Sequence, residues 1–526
     1  MLSALPVLFA DAQTTAASPR QGRILELAWR IVGRGDDTCG ALVLRGEDEA
    51  AAAVGARILR MTGITPVEIA AGASEAQLVE ALRAALALAP QAAVIHFAAF
   101  EQRFLDDLWM RHEGAPFPLA VICTHAIARR LFPKLPSRSL RAIAGFFGAP
   151  VEQMKRAGGH VDATAHIWTR LCQELDAVGI TSLPQLTAWL AQKAPRTTGP
   201  RQFPIDRALR LALPSVPGVY RMLGASGQVL YVGKATSLNA RVNSYFRQRR
   251  GLGSPKNEML TQVVGVEATP CATPLEAALL ESDEIKRLAP PYNIALRERT
   301  RPLGFFDRSL QPVPADDPAM CIGPLPSAAT LEALPVLAAA LSGGLASGLL
   351  LAALFRDEVA EATLLMGLYL FAKTLPFPAA TAAPRRLLAH GFWVARAADA
   401  AAADVEKEAE DDEPEAVVQR ECTAEDAARA LGDIVVQAGR ALAKCRRLRR
   451  LANATVVFRA GAKKADAWRY VALCGGQLAG AGWTDSPDTA PRVQAGAALG
   501  ADGRTYDRVR VLSTELNRVA DWVLFS

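Results

Sequence analysis

Over its first 180 residues the chain keeps switching its hydrophobic period. Short apolar runs of strand type stand at Val7–Ala10, Ile24–Val32, Ala41–Leu44 and Ala92–His96, and helical patterns occupy Glu47–Met61 and Ser74–Leu88. A chain that interleaves the two periods must layer helices on a sheet, because each element buries only one face or stripe. The expected fold class is therefore α/β. At 526 residues the chain also exceeds what one hydrophobic core holds, so a multidomain organisation is expected.

The composition shifts along the chain give the expected divisions. Residues 1–180 form the first α/β domain, followed by the turn-rich stretch Pro195–Gly199 (PRTTG). Residues 200–300 form a small second α/β unit. Its runs Val219–Met222 and Val229–Gly233 flank Gly224–Gly227 as a hairpin would, and helices come next from about Ser237 and over Pro274–Leu288. Residues 301–396 read as a helical segment rich in Ala and Leu, 397–415 as an acidic linker, and 416–526 as a C-terminal α/β segment. Within the helical segment Pro335–Phe355 carries no charge, but Gly343, Gly344 and Gly348 interrupt it, so a buried helix pair is expected and no membrane helix.

Charge and cysteine usage narrow the setting without naming a partner. Lys and Arg number 59 against 53 Asp and Glu, a net +6 that permits nucleic-acid binding without requiring it. Eight cysteines stand in no C-x-x-C pair, which argues against zinc and redox motifs and for a reduced, cytoplasmic location. No basic region precedes the apolar N-terminal run, so no secretory signal is expected. A basic cluster, Arg440, Lys444, Arg446, Arg447, Arg449 and Arg450, lies on one predicted helix as a solvated face or a phosphate contact.

The chemistry concentrates in residues 218–293. Tyr220 and Tyr231 fall on adjacent antiparallel strands, so their phenols can face one site. Lys234 comes after the second strand, and Arg241 and Tyr245 lie four apart on one helix face. Glu281 interrupts an otherwise apolar helical stretch, and Asn293 ends the unit. Such a set suits phosphodiester hydrolysis: a carboxylate holds an oxygen-loving divalent ion, cations neutralise the phosphate, and a phenol positions or deprotonates water.

The stretches PGVYRMLGASGQVLYVGKATSLNARVNSYF and EAALLESDEIKRLAPPYN resemble the GIY-YIG nuclease domain of the UvrC N-terminal and Cho type. Gly218-Val219-Tyr220 stands for the first tripeptide and Tyr231-Val232-Gly233 for the second. The resemblance implies catalytic roles for Tyr220, Tyr231, Lys234, Arg241, Tyr245 and Asn293, with Glu281 as the ligand of Mg2+ (or Mn2+). It leaves open which tyrosine is the base. The implied activity is a single-strand incision of DNA in nucleotide-excision repair of the SOS type, on damaged double-stranded DNA with UvrA-type and UvrB-type partners. The segment CIGPLPSAATLEALPVLAAAL resembles the region after that domain in UvrC-like proteins. The sequence beyond it shows no helix-hairpin-helix pair and no second nuclease domain, which makes the chain more similar to Cho.

A second resemblance covers the first domain. LFADAQTTAASPRQGRILELAWRIV and VIHFAAFEQRFL resemble the first two motifs of the DEDDh exonucleases, such as the epsilon proofreading subunit of DNA polymerase III. It implies an RNase H-like fold with a site at Asp11, Gln13, Glu101 and Asp162, with His160 the nearest histidine and Asp107 a further acid. Gln13 stands where the family has Glu, Glu101 where it has Asp, Phe97 where it often has Asn, and Ala157 where the third motif has His. Two-metal hydrolysis depends on those charges, so the domain reads as degenerate. The alternatives are a 3′–5′ exonuclease or polymerase III accessory protein acting through this domain, or a DNA or protein docking module.

Overall fold

The computed structural model describes residues 1–32, 38–45, 54–150, 155–194, 199–247, 254–293, 303–325, 329–343, 354–355, 359–403, 422–460, 467–493 and 502–525. Most of Pro195–Gly199, the start of Glu47–Met61, the middle of Pro335–Phe355 and residues 404–415 of the acidic stretch lie outside them. The chain gathers into two compact units, one of 1–277 with 287–295 and one of 278–286 with 296–526. Both strands and helices are present in each, a mixed α/β architecture.

The first unit opens on a five-stranded sheet: β1 (Val7–Thr14), β2 (Ile24–Val32), β3 (Thr38–Val43), β4 (Ala92–Ile95) and β5 (Val121–Cys123), in the order β3-β2-β1-β4-β5. β1 runs antiparallel to β2 and parallel to β4. As the central strand, β1 is covered on both faces. Leu8, Ala10 and Ala12 meet Leu78, Leu82 and Phe104, whereas Val7 and Phe9 meet Ile167, Trp168 and Leu171 of the helix Ala157–Ala177. β1 is longer than its apolar run predicts, because Asp11 and Gln13 continue the second face with polar contacts in place of hydrophobic ones. The helical core of this layer also takes in Leu186, beyond residue 180.

The same unit holds a three-stranded antiparallel sheet of β6 (Gly218–Leu223), β7 (Val229–Ala235) and β8 (Gly265–Pro270), in the order β7-β6-β8. The helix Leu238–Tyr245 comes next, its first turn capped by Ser237, whose hydroxyl accepts from Ala240 N–H. The helix Ser254–Gln262 joins this sheet to the first layer. Glu258 accepts from Ser139 Oγ at 2.7 Å and from Tyr292 Oη at 2.9 Å, and pairs with Arg141 at 3.3 Å. Arg141 lies over the Tyr292 ring at 4.7 Å, and Thr261 Oγ1 accepts from Ser137 N–H at 2.9 Å. These contacts tie residues 137–141 to the helix Ser254–Gln262 and Tyr292 through part-buried polar bonds.

In the second unit two strands, β9 (Gly304–Phe306) and β10 (Ile322–Leu325), stand where the sequence predicted only helix. The helices Ala329–Leu341, Glu361–Ala372 and Pro384–Ala403 share one core with the helix Ala424–Ala452. Leu331, Leu337, Leu364, Phe371, Leu387, Leu431 and Val435 all belong to it. The helical and C-terminal segments therefore have a common core on either side of the acidic stretch. Gly391 and Gly439 let the two longest helices touch backbone to backbone, since a Cβ on either would overlap the other helix. A four-stranded antiparallel sheet closes the unit: β11 (Ala454–Arg459), β12 (Trp468–Cys474), β13 (Gln477–Thr484) and β14 (Trp522–Phe525), ordered β13-β12-β11-β14. Among the described residues no helix is long and apolar enough to cross a membrane.

Candidate functional site

Three phenols meet on the small sheet. Tyr220 sits opposite Gly233 and Tyr231 opposite Met222, two steps apart in the ladder, so the pleat sends both to one face. Tyr245, on the last turn of the helix Leu238–Tyr245, completes a near-equilateral triangle with ring centroids 6.1, 6.2 and 6.3 Å apart. Tyr220 Oη and Tyr245 Oη are hydrogen-bonded at 2.9 Å. Gly233 is required here, because a Cβ at that position would come within 2.6 Å of Tyr220 Cζ and 2.8 Å of Tyr231 Cε1.

Arg241 stands over the Tyr245 ring at 5.2 Å, one helical turn back. Burial, reinforced by Tyr245 and Tyr231, pushes the Tyr220 phenol well above its ordinary value, so Tyr220 stays protonated. Arg241 loses hydration by burial, yet the neighbouring phenols, Tyr220 foremost, hold its guanidinium above the usual range. The arrangement is a hydrogen-bonded phenol pair, its Tyr220 protonated, beside a permanent cation. Lys234 stands half-buried on β7, opposite Val219.

Asn293 acts as a clamp on the second strand. Its Oδ1 accepts from Val232 N–H and its Nδ2 donates to Val232 C=O, both at 2.9 Å. The amide thereby pins the residue between Tyr231 and Gly233, a positioning role. Asn293→Ala is expected to leave both buried backbone groups unpaired and to cost about 1–3 kcal/mol, read as a lower denaturant midpoint.

Glu281 stands half-buried in the middle of the helix Pro274–Leu288, within the stretch 278–286 that belongs to the second unit. Two ion pairs fix that stretch to the helix Gly503–Leu516: Asp283 with Arg508 at 2.9 Å and buried Lys286 with Asp507 at 3.2 Å. A single carboxylate fits a hard divalent ion, because Mg2+ keeps several waters and takes substrate oxygens. Among the described residues no three of His, Cys, Asp and Glu gather as an all-protein metal cage.

The first domain's polar cluster centres on a histidine. His160, in the first turn of the helix Ala157–Ala177, meets Asp11 Oδ2 at 3.0 Å and Gln13 Nε2 at 3.4 Å. Asp162 is not among them. It is exposed and paired with Arg30 at 3.2 Å, since two residues along a helix turn its side chain about 200° away from that of His160. Asp107 pairs with Arg111 at 3.0 Å on its own helix. Glu101 is buried, with one carboxylate oxygen lacking a hydrogen-bond partner. Burial first, and Asp11 second, push its carboxyl up to about 8. A neutral amide, an acid held protonated and a displaced Asp162 do not fit a two-metal site.

Two of the histidines that the sequence reading left unassigned pack in the first domain. His96 is buried between Thr124 Oγ1 at 2.9 Å and the Arg138 carbonyl at 3.1 Å, and burial lowers it to about 3. It is a neutral structural link. His125 stacks at 4.1 Å on Phe97, whose φ of +59° places a non-glycine residue in the left-handed region. His96 lies in the turn after β4 and His125 on the short helix Thr124–Leu131, and neither position carries a sequence signal for its contact.

Residues 216–294 match the UvrC-like GIY-YIG domain. UvrABC system protein C of Nitrosomonas europaea is 43% identical over 133 residues, which cover 24% of this chain and 22% of that protein. A Mycobacterium tuberculosis protein named as a putative bifunctional exonuclease/endonuclease is 32% identical over 206 residues, 38% of this chain and 30% of its own length. The chain thus spans less than a third of each of these relatives. The solved GIY-YIG N-terminal endonuclease domain of UvrC from Thermotoga maritima, bound to magnesium, is 30% identical with a TM-score of 0.16, covering 17% of this chain and 94% of that one. Residues 216–294 are a UvrC-like GIY-YIG domain.

Proposed function

We propose that the protein is a nuclease that makes a divalent-ion-dependent single-strand incision in damaged double-stranded DNA, in nucleotide-excision repair. The observation that carries this reading is the phenol triangle of Tyr220, Tyr231 and Tyr245 under Arg241, in the segment that matches the UvrC-like domain. In this reading Glu281 holds Mg2+ (or Mn2+), which when bound supplies Lewis-acid stabilisation of the phosphate. Arg241 and Lys234 neutralise charge developing on the phosphoryl oxygens. The phenols orient the attacking water, Tyr220 as a proton-bearing hydrogen-bond partner of Tyr245. Asn293 holds Tyr231 in place through Val232. Damage is located by UvrA-type and UvrB-type partners, and the setting is cytoplasmic.

The first domain has a different role. The Asp11–His160 pair and the protonated Glu101 favour a docking module over an exonuclease. To test the reading, the full chain is incubated with a lesion-bearing duplex, the damage-loading proteins and Mg2+. Nicking of the damaged strand is expected, with none in EDTA and none on undamaged duplex. Nicking that persists in EDTA would refute it.

A further inference from the structure

The second unit carries a cationic cavity that the proposed incision does not use. A space of 410 Å3 opens between the segment around β9 and β10, the helix Pro384–Ala403 and the helix Ala424–Ala452. Its rim holds Arg308, Arg385, Arg446 and Arg449, and its wall holds Phe392 and Trp393. The floor is apolar, with Ile322, Leu388 and Leu442 buried. Among the described residues no acidic side chain lines it.

Four guanidinium groups at one opening repel each other, and among the described residues none of the four has a carboxylate partner. Arg449 donates to the Cys321 carbonyl at 2.8 Å, and Arg446 lies over the Phe392 ring at 5.0 Å. Trp393 is 65% exposed, with Arg396 at 5.9 Å from its ring. Trp393 thus presents an aromatic surface to water beside these arginines. Planar forked cations match phosphate oxygens, and an exposed indole matches the face of a base.

We propose that this cavity binds single-stranded nucleic acid, its phosphates held by the four arginines and a base stacked on Trp393. The apolar floor calls for a ring as well as an anion, which a bare phosphate does not supply. A strand fits better than a free nucleotide because Arg396, 5.9 Å from the Trp393 ring, continues the platform along the same helix beyond the cavity.

The test uses the full chain in EDTA with a fluorescent single strand of about 12 nucleotides carrying a photoreactive thiothymidine. Anisotropy is measured from about 50 to 200 mM salt. The double variant Arg308→Gln/Arg385→Gln is expected to bind about tenfold more weakly and to lose about 1.4 from the salt slope. Trp393→Ala is expected to weaken binding without changing that slope, and the wild-type crosslink to map within residues 384–403. Circular dichroism and melting of each variant establish that it is folded. Unchanged affinity and slope in the folded double variant would overturn the proposal, since binding through residues 216–294 would survive these changes. So would occupancy by a mononucleotide, sensitive to the same substitutions, with no such sensitivity for the strand.

Discussion

Glu281→Ala is expected to lower the rate of incision by about 10³-fold or more while leaving the melting temperature close to wild type. The rate loss corresponds to about 4 kcal/mol of transition-state stabilisation, the scale on which a metal's Lewis-acid contribution falls. Glu281 is only half-buried, and Asp283–Arg508 and Lys286–Asp507 anchor its helix, so most of that helix's anchoring is independent of this carboxylate. Glu281→Gln separates charge from shape. If a metal is held there, the amide is as damaging as alanine. Comparable incision by either variant and the wild type would remove Glu281 from the chemistry.

The second large effect lies in the first domain and is read in stability. Glu101 is neutral in the folded chain up to about pH 8, against an ordinary value of 4.5, because of burial and the Asp11 carboxylate. Below pH 4.5 both folded and unfolded chains carry the proton, and this residue exerts no penalty. Between pH 4.5 and 8 the unfolded chain releases the proton and the folded chain keeps it, so stability falls as pH rises. The full penalty is on the order of 4–5 kcal/mol above pH 8. Glu101→Gln is therefore expected to melt higher than wild type, by a margin that grows from pH 5 to pH 8. A pH-independent margin would mean that the carboxyl is ionised in the folded state.

The sequence exposes local arrangement well and long-range arrangement poorly. Tyr220 and Tyr231 are legible as able to share one face because they fall on the two strands of one short hairpin, whose register the structure supplies, and Arg241 with Tyr245 because four residues make about one helical turn. The role of Asn293 is hidden: a polar residue closing a unit does not reveal that its amide reaches Val232, 61 positions away. At the first domain a motif spacing points to Asp162, whereas the helix presents His160 to Asp11 and turns Asp162 to Arg30. The shared core of the helical and C-terminal segments is equally hidden, because the acidic stretch between them reads as a boundary. The basic cluster divides for the same reason. Arg447 turns to Ser513 and Asn517 while Arg446 and Arg449 face the cavity, a partition set by which neighbours pack on each side of the helix.

The central claim is that the chemistry resides in residues 216–294 and not in the first domain. Its most direct test compares Asp11→Ala and Glu281→Ala, in the full chain, for Mg2+-dependent nicking of a lesion-bearing duplex with the damage-loading proteins present. Incision at the wild-type rate is expected in Asp11→Ala, and its loss in Glu281→Ala. Loss in Asp11→Ala with retention in Glu281→Ala would contradict the claim.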